Sequence, residues 1–576
     1  MLYQPNKMKN IFSFLTLSML CISAFAQDSD ILLNHDGYHY IDRLDIRGYT
    51  GQTVHTDVKP YGRKYVSSVF AAADTSIMKQ NEKRWHNRMR LLLDDEYAES
   101  VNDKGIIFKQ LYKNKRDFYH YSDKNFRVYL NPIIDMNAGV EMQNYGGSYD
   151  RRLLSTNTRG VVIRGDFMRK IGFYTEVADN VMVPQTFINK HYPVEGAFFG
   201  ETFVKNFKSD PSKKDFFAYR AYVTYSPIKQ MRIKFGYDRN FLGNGYHSLL
   251  LSDNAPNHLM MNIVTKVWKL EYMNHFTQMV DFFPTKNDTE GPYPRKYGVF
   301  HQLTYKPIKN LSLGAFESVI YNPYHPNGKR GFELQYLNPV IFYRGVEQML
   351  GSSDNAVIGF VGKYNFLKHF QVYGQFLLDE MKISYAKEIL NGKRGAYTSK
   401  TGYQLGIKYI DAFSIPTLDL QMEYNQVRPY TYQHTNSSSN YTNYGQVLGY
   451  AWGANARSLD LILNYHPFPQ WNIYAVATRG TKGIDVNNIN YGGNATIPYV
   501  INRQTDSTGQ YTIYDNFIGQ GTKVNVTQLF GTVSYQIYHT DMYLEGGARF
   551  RKEGQYTSAG AWLGFRANVS RRMAKF

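Results

Sequence analysis

The residues best suited to chemistry in this chain lie in glycine- and aromatic-rich stretches, outside any catalytic signature. The first is Phe241-Leu242-Gly243-Asn244-Gly245-Tyr246-His247-Ser248, which sets a phenol beside an imidazole. The second runs from Phe332 through Tyr336-Leu337-Asn338-Pro339 to Tyr343-Arg344-Gly345-Val346-Glu347, with Arg330 just ahead of it. Arg344 and Glu347 are spaced to pair across one helical turn. A third, Gly351-Ser352-Ser353-Asp354-Asn355, follows directly. Aromatic faces of this kind can stack on sugar rings or simply pack, and arginine and glutamate can make charge-assisted hydrogen bonds to polar ligands. The candidate glycan-binding residues are Tyr246, His247, Arg330, Tyr343, Arg344 and Glu347.

No enzyme motif competes with that reading. There is no His-Glu-x-x-His, no Gly-x-Ser-x-Gly and no phosphate loop, so no catalytic residue, metal ligand or cofactor is expected. Gly243-Asn244-Gly245 and Gly519-Gln520-Gly521 lack a third glycine and read as loop hinges. A further stretch, 427–456, places Tyr430, Tyr432, Tyr441 and Tyr444 among Asn436, Ser437, Ser438, Ser439 and Asn440, and predicts a water- or glycan-facing outer loop.

The elements that carry these stretches are strands. Tyr225-Ser226-Pro227-Ile228-Lys229-Gln230-Met231 recurs as Tyr305-Lys306-Pro307-Ile308-Lys309-Asn310-Leu311 and as Tyr465-His466-Pro467-Phe468-Pro469-Gln470-Trp471. Each copy is a tight proline turn between two alternating apolar and polar runs. Counting such runs from Phe126 onward gives about eighteen strands, several as long as the roughly 9 to 11 residues a tilted strand needs to cross a bilayer. Short turns alternate with long loops along the chain, which puts all short turns on one rim and all long loops on the other. That asymmetry favours an all-β transmembrane protein, an antiparallel outer-membrane β-barrel, over a soluble β-sandwich. The apolar pattern slips at Leu529-Phe530, predicting a bulge, and the terminal Phe576 reads as the aromatic that closes a last strand.

Residues 27–125 differ. Tyr38, Tyr40, Leu44 and Ile46 predict a short extended segment, whereas 61–73 and 77–97 carry helical spacing. The chain therefore divides into a signal peptide (1–26), a partly helical periplasmic domain that plugs the barrel (27–125) and the barrel itself (126–576). The signal peptide rests on Lys7 and Lys9 ahead of an apolar run and on Ala24-Phe25-Ala26 before Gln27. The single cysteine, Cys21, falls inside it, which excludes disulfides from the mature chain. The net charge of +18 is scattered through the strands. Lysines and arginines then either line a wet lumen and touch lipopolysaccharide and outer-membrane lipid, or form a basic surface for an acidic polysaccharide; nucleic acid is not an expected partner.

The stretches Asn240–Tyr246, Tyr336–Arg344 with Glu347, Gly351–Asn355 and Gln375–Glu380 resemble the capsule-assembly Wzi family, in the form common among bacteria of the Bacteroidetes type. The resemblance covers most of the mature chain and implies an 18-stranded barrel with a helical bundle closing its periplasmic mouth. It further implies a lectin that holds capsular or other extracellular polysaccharide at the cell surface, inserted by the outer-membrane assembly machinery. Related proteins associated with gliding motility leave slime or adhesion as alternatives, and a porin-like channel is the competing reading. The resemblance assigns no individual sugar-binding residue.

Overall fold

The computed structural model describes residues 29–576 apart from 102–115, 192–197, 203, 208–209, 282–292, 326–327, 340–342, 353, 382–387 and 539. The expected signal peptide lies outside the described residues, as do Val340, Ile341 and Phe342.

Eighteen antiparallel strands close into a barrel. In chain order they are β1 Phe126–Tyr145, β2 Ser148–Phe167, β3 Ile171–Val183, β4 Asp210–Ile228, β5 Met231–Asp238 and β6 His258–Val267. There follow β7 Leu270–Val280, β8 Arg295–Ile308, β9 Leu311–Tyr321, β10 Asn355–Phe366, β11 Phe370–Glu380 and β12 Lys400–Tyr409. The last six are β13 Leu418–Val427, β14 Ala456–Tyr465, β15 Trp471–Ile484, β16 Thr522–Gln536, β17 Met542–Glu553 and β18 Tyr556–Ala567. β18 pairs back onto β1, Ala567 opposite Ile134 and Tyr556 opposite Tyr145, and this removes every free sheet edge.

Two apolar environments drive the pattern. Outward positions such as Leu405, Leu461, Leu529, Leu544 and Leu563 are exposed, as a lipid-facing wall requires. Inward positions pack against a filled lumen: Phe300, Phe316, Val357, Leu377, Val427 and Val526 belong to one buried cluster. This explains Leu529-Phe530. β16 pairs with β15 and β17 in unbroken register, so there is no bulge; Leu529 faces lipid and Phe530 the interior. The aromatics of the repeated turns, Tyr225, Tyr305 and Trp471, point outward at the short-turn rim and form an interfacial belt.

The N-terminal residues form helices α1 Asp36–Arg47, α2 Arg63–Ala71, α3 Gln80–Leu93 and α4 Asp95–Ser100. The extended segment expected at Tyr38–Ile46 is α1. His35 caps it by accepting from the Gly37 N–H, and Gly48 ends it at φ 65°, a conformation glycine adopts without strain. Its buried face, Tyr40, Ile41 and Leu44, packs with Val66, Phe70, Trp85 and Met89 of α2 and α3.

Two expectations, one about a long loop and one about the last residue, change. The loop 239–257 does not rise from the rim; it descends into the lumen. The last residue does not close a strand either, since β18 ends at Ala567 and residues 568–576 turn back inside the barrel. Phe576 is buried with its ring 5.4 Å from Phe199 and 5.9 Å from Phe187, and Arg551 donates to its backbone oxygen at 2.7 Å. The basic residues of the tail each find a lumenal partner: Arg571 binds Glu545 at 2.7 Å, Arg572 Asn180 at 2.9 Å and Lys575 Asp253 at 3.0 Å.

Candidate functional site

The interior is built from the loop 239–257. Val58 and Lys59 of the N-terminal region pair with Leu242 and Phe241, so the loop begins as one half of a two-stranded ribbon. Asn244 extends the joint, donating to Asp57 at 2.7 Å and accepting from Thr56 at 2.6 Å. Gly243 stands at φ 105°, and a Cβ there would meet the Gln375 Nε2 at 2.1 Å, so the residue must be glycine for the loop to lie against β11. Gln375 then holds both sides of the loop: its amide donates to the Leu242 carbonyl at 3.0 Å and its oxygen accepts from the Leu249 N–H at 2.7 Å.

Leu249, Leu250 and Leu251 fill the centre of the lumen and are almost fully buried. Each contributes about 1.5–3 kcal/mol by removal of apolar surface from water. The loop 428–455 comes down on them. Tyr432 donates to the Leu249 carbonyl at 2.8 Å, Tyr441 to the Leu250 carbonyl at 2.5 Å, and Ser252 to the Gly449 carbonyl at 2.6 Å. Tyr430, Tyr432 and Tyr441, expected in a water-facing loop, are buried: the Tyr432 and Tyr441 hydroxyls complete the backbone of the inner loop, and Tyr430 donates to the Asn490 carbonyl at 3.1 Å.

Below this layer the helices dock by charge. Arg43 donates to Asp419 at 2.5 Å, Asp411 at 2.9 Å and Glu82 at 2.9 Å while almost fully buried. Burial opposes its charge, but Asp419 and Asp411 outweigh that and hold its pKa above the ordinary range. Lys408 reaches Asp42 and Lys363 reaches Asp45, both at 2.6 Å. Burial would raise these two carboxyls; the lysines prevail and keep them low. Lysines of the wall therefore bind the N-terminal helices.

Of the candidate residues, Tyr246 and His247 lie in the lumen. Their N–H groups donate to Glu423 at 2.6 and 2.9 Å, and His247 Nε2 is 3.4 Å from Asp460. His247, Glu423 and Asp460 bring ligand atoms within 4.8 Å of one another, the spacing a cation needs. Glu423, however, also accepts from Tyr373 at 2.7 Å and Asn425 at 2.8 Å, so its oxygens are already occupied and the group is a hydrogen-bonded knot.

The other four belong to the loop 322–354, which folds down over the outside of the wall. Tyr343 is buried with Tyr321, Tyr336, Val299 and Val319, whose neighbours Phe300, Phe316 and Ile320 face the lumen. Its hydroxyl meets outward-facing His301. Arg330 is committed to the same fold: it grips Asp354 with two bonds of 2.9 Å and reaches Glu333 at 3.3 Å. Arg344 and Glu347 lie on helix α5, Tyr343–Leu350.

The outer mouth is covered by the loops 388–399, 428–455 and 485–521. Tyr397 donates its N–H to the Ile513 carbonyl at 2.9 Å, Tyr430 to the Gly492 carbonyl at 3.1 Å, and Asn516 to the Gly395 carbonyl at 2.9 Å. On this cover Arg503 is stacked between Tyr397 and Tyr511, its guanidinium carbon 3.8 and 4.6 Å from the ring centres. Lys400 lies 4.0 Å from the Tyr499 ring centre. Tyr511, Val500, Ile501, Ile513 and Phe517 are exposed there. No local motif marks this cluster in the sequence; its one signal is the aromatic and apolar content of 499–517 inside an otherwise polar loop.

The model of the Wzi capsule assembly family matches residues 96–527. The chain belongs to that family. The solved structure of Escherichia coli Wzi, an outer membrane protein involved in group 1 capsule assembly and a carbohydrate-binding β-barrel, is similar at a TM-score of 0.55 and 13% identity. The match spans 95% of this Wzi-family chain and 100% of the other, and it is one of fold. OccK8 (OprE) of Pseudomonas aeruginosa (TM-score 0.39, 8% identity, 76% and 97% covered) and OccAB2 of Acinetobacter baumannii (0.40, 10%, 76% and 97%) are too distant to carry an argument. No curated protein matches the chain.

Proposed function

We propose that this protein is an outer-membrane barrel that binds surface or capsular polysaccharide on its outer cover and helps hold that polysaccharide at the cell surface. The observation that carries the reading is the pairing of a filled lumen with an aromatic and apolar outer surface. Helices, inner loop and C-terminal tail occupy the path a porin would leave open. The cover meanwhile presents the exposed Tyr511 and the half-buried Tyr397 and Tyr499, whose rings lie against the buried cations Arg503 and Lys400. Rings offer faces to sugars, and a repeating polymer multiplies weak contacts. Family membership supports the same role.

In this proposal Tyr511 and Tyr499 touch the glycan, Arg503 holds the Tyr511 ring in place from beneath, and Arg344 and Glu347 add contacts from α5 at the side of the barrel. Arg330, Tyr343, Tyr246 and His247 act by shaping loops. The helical segment 27–125 is a periplasmic plug, lipopolysaccharide and other lipid surround the wall, and the assembly machinery inserts it. The role is binding without turnover. The test is saturable binding of the host's own surface polysaccharide by purified protein, competed by defined sugars, and weakened by Tyr511→Ala with Tyr499→Ala.

A further inference from the structure

On the lipid-facing wall, strands β14–β17 carry four exposed cations that the sealed lumen and the outer cover do not use. Arg457, Arg479, Lys523 and Lys552 all point outward, each flanked in its strand by inward neighbours such as Ser458, Gly480 and Arg551. The register brings them together. Arg479 lies opposite Leu459, two residues from Arg457, and opposite Thr527, which in turn faces Lys552. Residues diagonal in this way are within reach of long side chains. No aspartate or glutamate of these four strands faces outward; Asp460 and Glu545 point into the lumen, and Glu553 is taken by Arg551. Arg457 touches the Tyr424 hydroxyl, and none of the four joins a salt bridge among the described residues. Elsewhere on the wall the outward Arg159 is neutralised by Asp179 at 3.3 Å.

Their height fits one kind of partner. Arg457 and Arg479 each stand eight residues along the strand from the short-turn ends at Tyr465 and Trp471, and Lys552 ten from Met542. That is close to the roughly 9–11 residues that carry a tilted strand across the hydrocarbon. Leu461, Leu529 and Phe550 lie directly beneath, exposed to acyl chains. We infer that this patch binds the phosphate groups of a phosphorylated glycolipid in the outer leaflet, with the apolar row below receiving its acyl chains. Guanidinium groups suit phosphate because they offer two parallel donors, and each cation near a charged lipid surface adds to retention. The inference rests on the outer-membrane reading above.

The test is native mass spectrometry of the detergent-purified full chain with bisphosphorylated lipid A, its dephosphorylated form, and inorganic phosphate. The intact protein should retain the bisphosphorylated lipid. Joint Arg457→Ser, Arg479→Ser and Lys552→Ser should weaken retention by about tenfold or more. Arg159→Ser should change nothing, and dephosphorylated lipid and inorganic phosphate should both be held weakly. Arg479→Glu supplies a second variant if the triple change impairs folding, judged by heat-modified migration. Equal retention by the variants, equal loss in Arg159→Ser, or equal binding of dephosphorylated lipid overturns the inference. Polysaccharide binding without lipid retention in the intact protein overturns the inference alone; loss of both removes the outer-membrane reading as well.

Discussion

The Tyr432 hydroxyl donates to the Leu249 carbonyl at 2.8 Å, joining the loop that covers the barrel mouth to the loop that fills its centre. Because the same inner loop pairs with Val58 and Lys59, one continuous set of hydrogen bonds runs from the short-turn end to the outer cover. The lumen is occupied at several levels, and the packing at each level has a different origin.

Removing the N-terminal helices alone should therefore leave the pore shut. Planar-bilayer recordings of the intact protein and of a form lacking residues 29–100 should both show no steady conductance. Replacing Asn244–Ser252 by a short glycine linker in that shortened form should produce open steps, since Leu249–Leu251 no longer fill the centre.

Arg43→Met should detach the helices without dissolving the barrel. The change leaves Asp419, Asp411 and Glu82 buried without their cation, a loss of about 3–5 kcal/mol for a broken buried ion pair. Hydrogen exchange should rise sharply over Asp36–Leu93 and stay low in β13 and β14.

Acid should act on the same helices in two steps. Burial pushes the His55 and His86 imidazoles down to about 4 from 6.5. The unfolded segment then takes up protons that the folded one refuses, so stability falls as pH drops from 6.5 to about 4 and is level below that. Asp42 and Asp45 behave oppositely: held low in the fold, they contribute fully above 3.8 and their contribution is lost only as pH falls through the lower folded values. Helical melting followed by circular dichroism should show the first step, and joint His55→Gln and His86→Gln should remove it while leaving the second.

Gly243→Ala should loosen the inner loop. The residue would carry a side chain at φ 105° and press on Gln375, whose amide is already fixed to Leu242 and Leu249. A cost of about 1–3 kcal/mol is expected for a strained backbone conformation, read as a lower melting temperature and faster proteolysis of the cover.

Much of this architecture was legible in the sequence. Alternation and the repeated proline turns located the strands, and the spacing of Val66, Val69 and Phe70 located a helix. The failures share a cause. Tyr38 and Tyr40 look alternating, but the cap at His35 and the stop at Gly48 decide for a helix. Tyr432 and Tyr441 look exposed because they sit among serines and asparagines; those polar residues are instead satisfied inside the cover, where the Ser437 and Ser438 hydroxyls donate to the Asp281 carboxylate and Asn440 accepts from the His434 N–H. Phe576 looked like the end of a strand, yet its place depends on Arg551 and Phe187, which no local pattern connects to it. Arg330 and Tyr343 stand out in the sequence by residue type, but spacing alone does not reveal that Asp354 and His301 already engage them. The cluster around Arg503 forms only when three loops separated in the chain meet over the mouth.

The central claim is that the outer cover binds polysaccharide, and a direct titration tests it best. Purified protein should bind the host's surface polysaccharide saturably. Joint Tyr499→Ala and Tyr511→Ala should weaken that binding by about tenfold, the scale of 1.4 kcal/mol at the shared aromatic face, while Arg43→Met should leave it intact. No binding by the intact protein, or binding that the tyrosine changes do not weaken, would contradict the account.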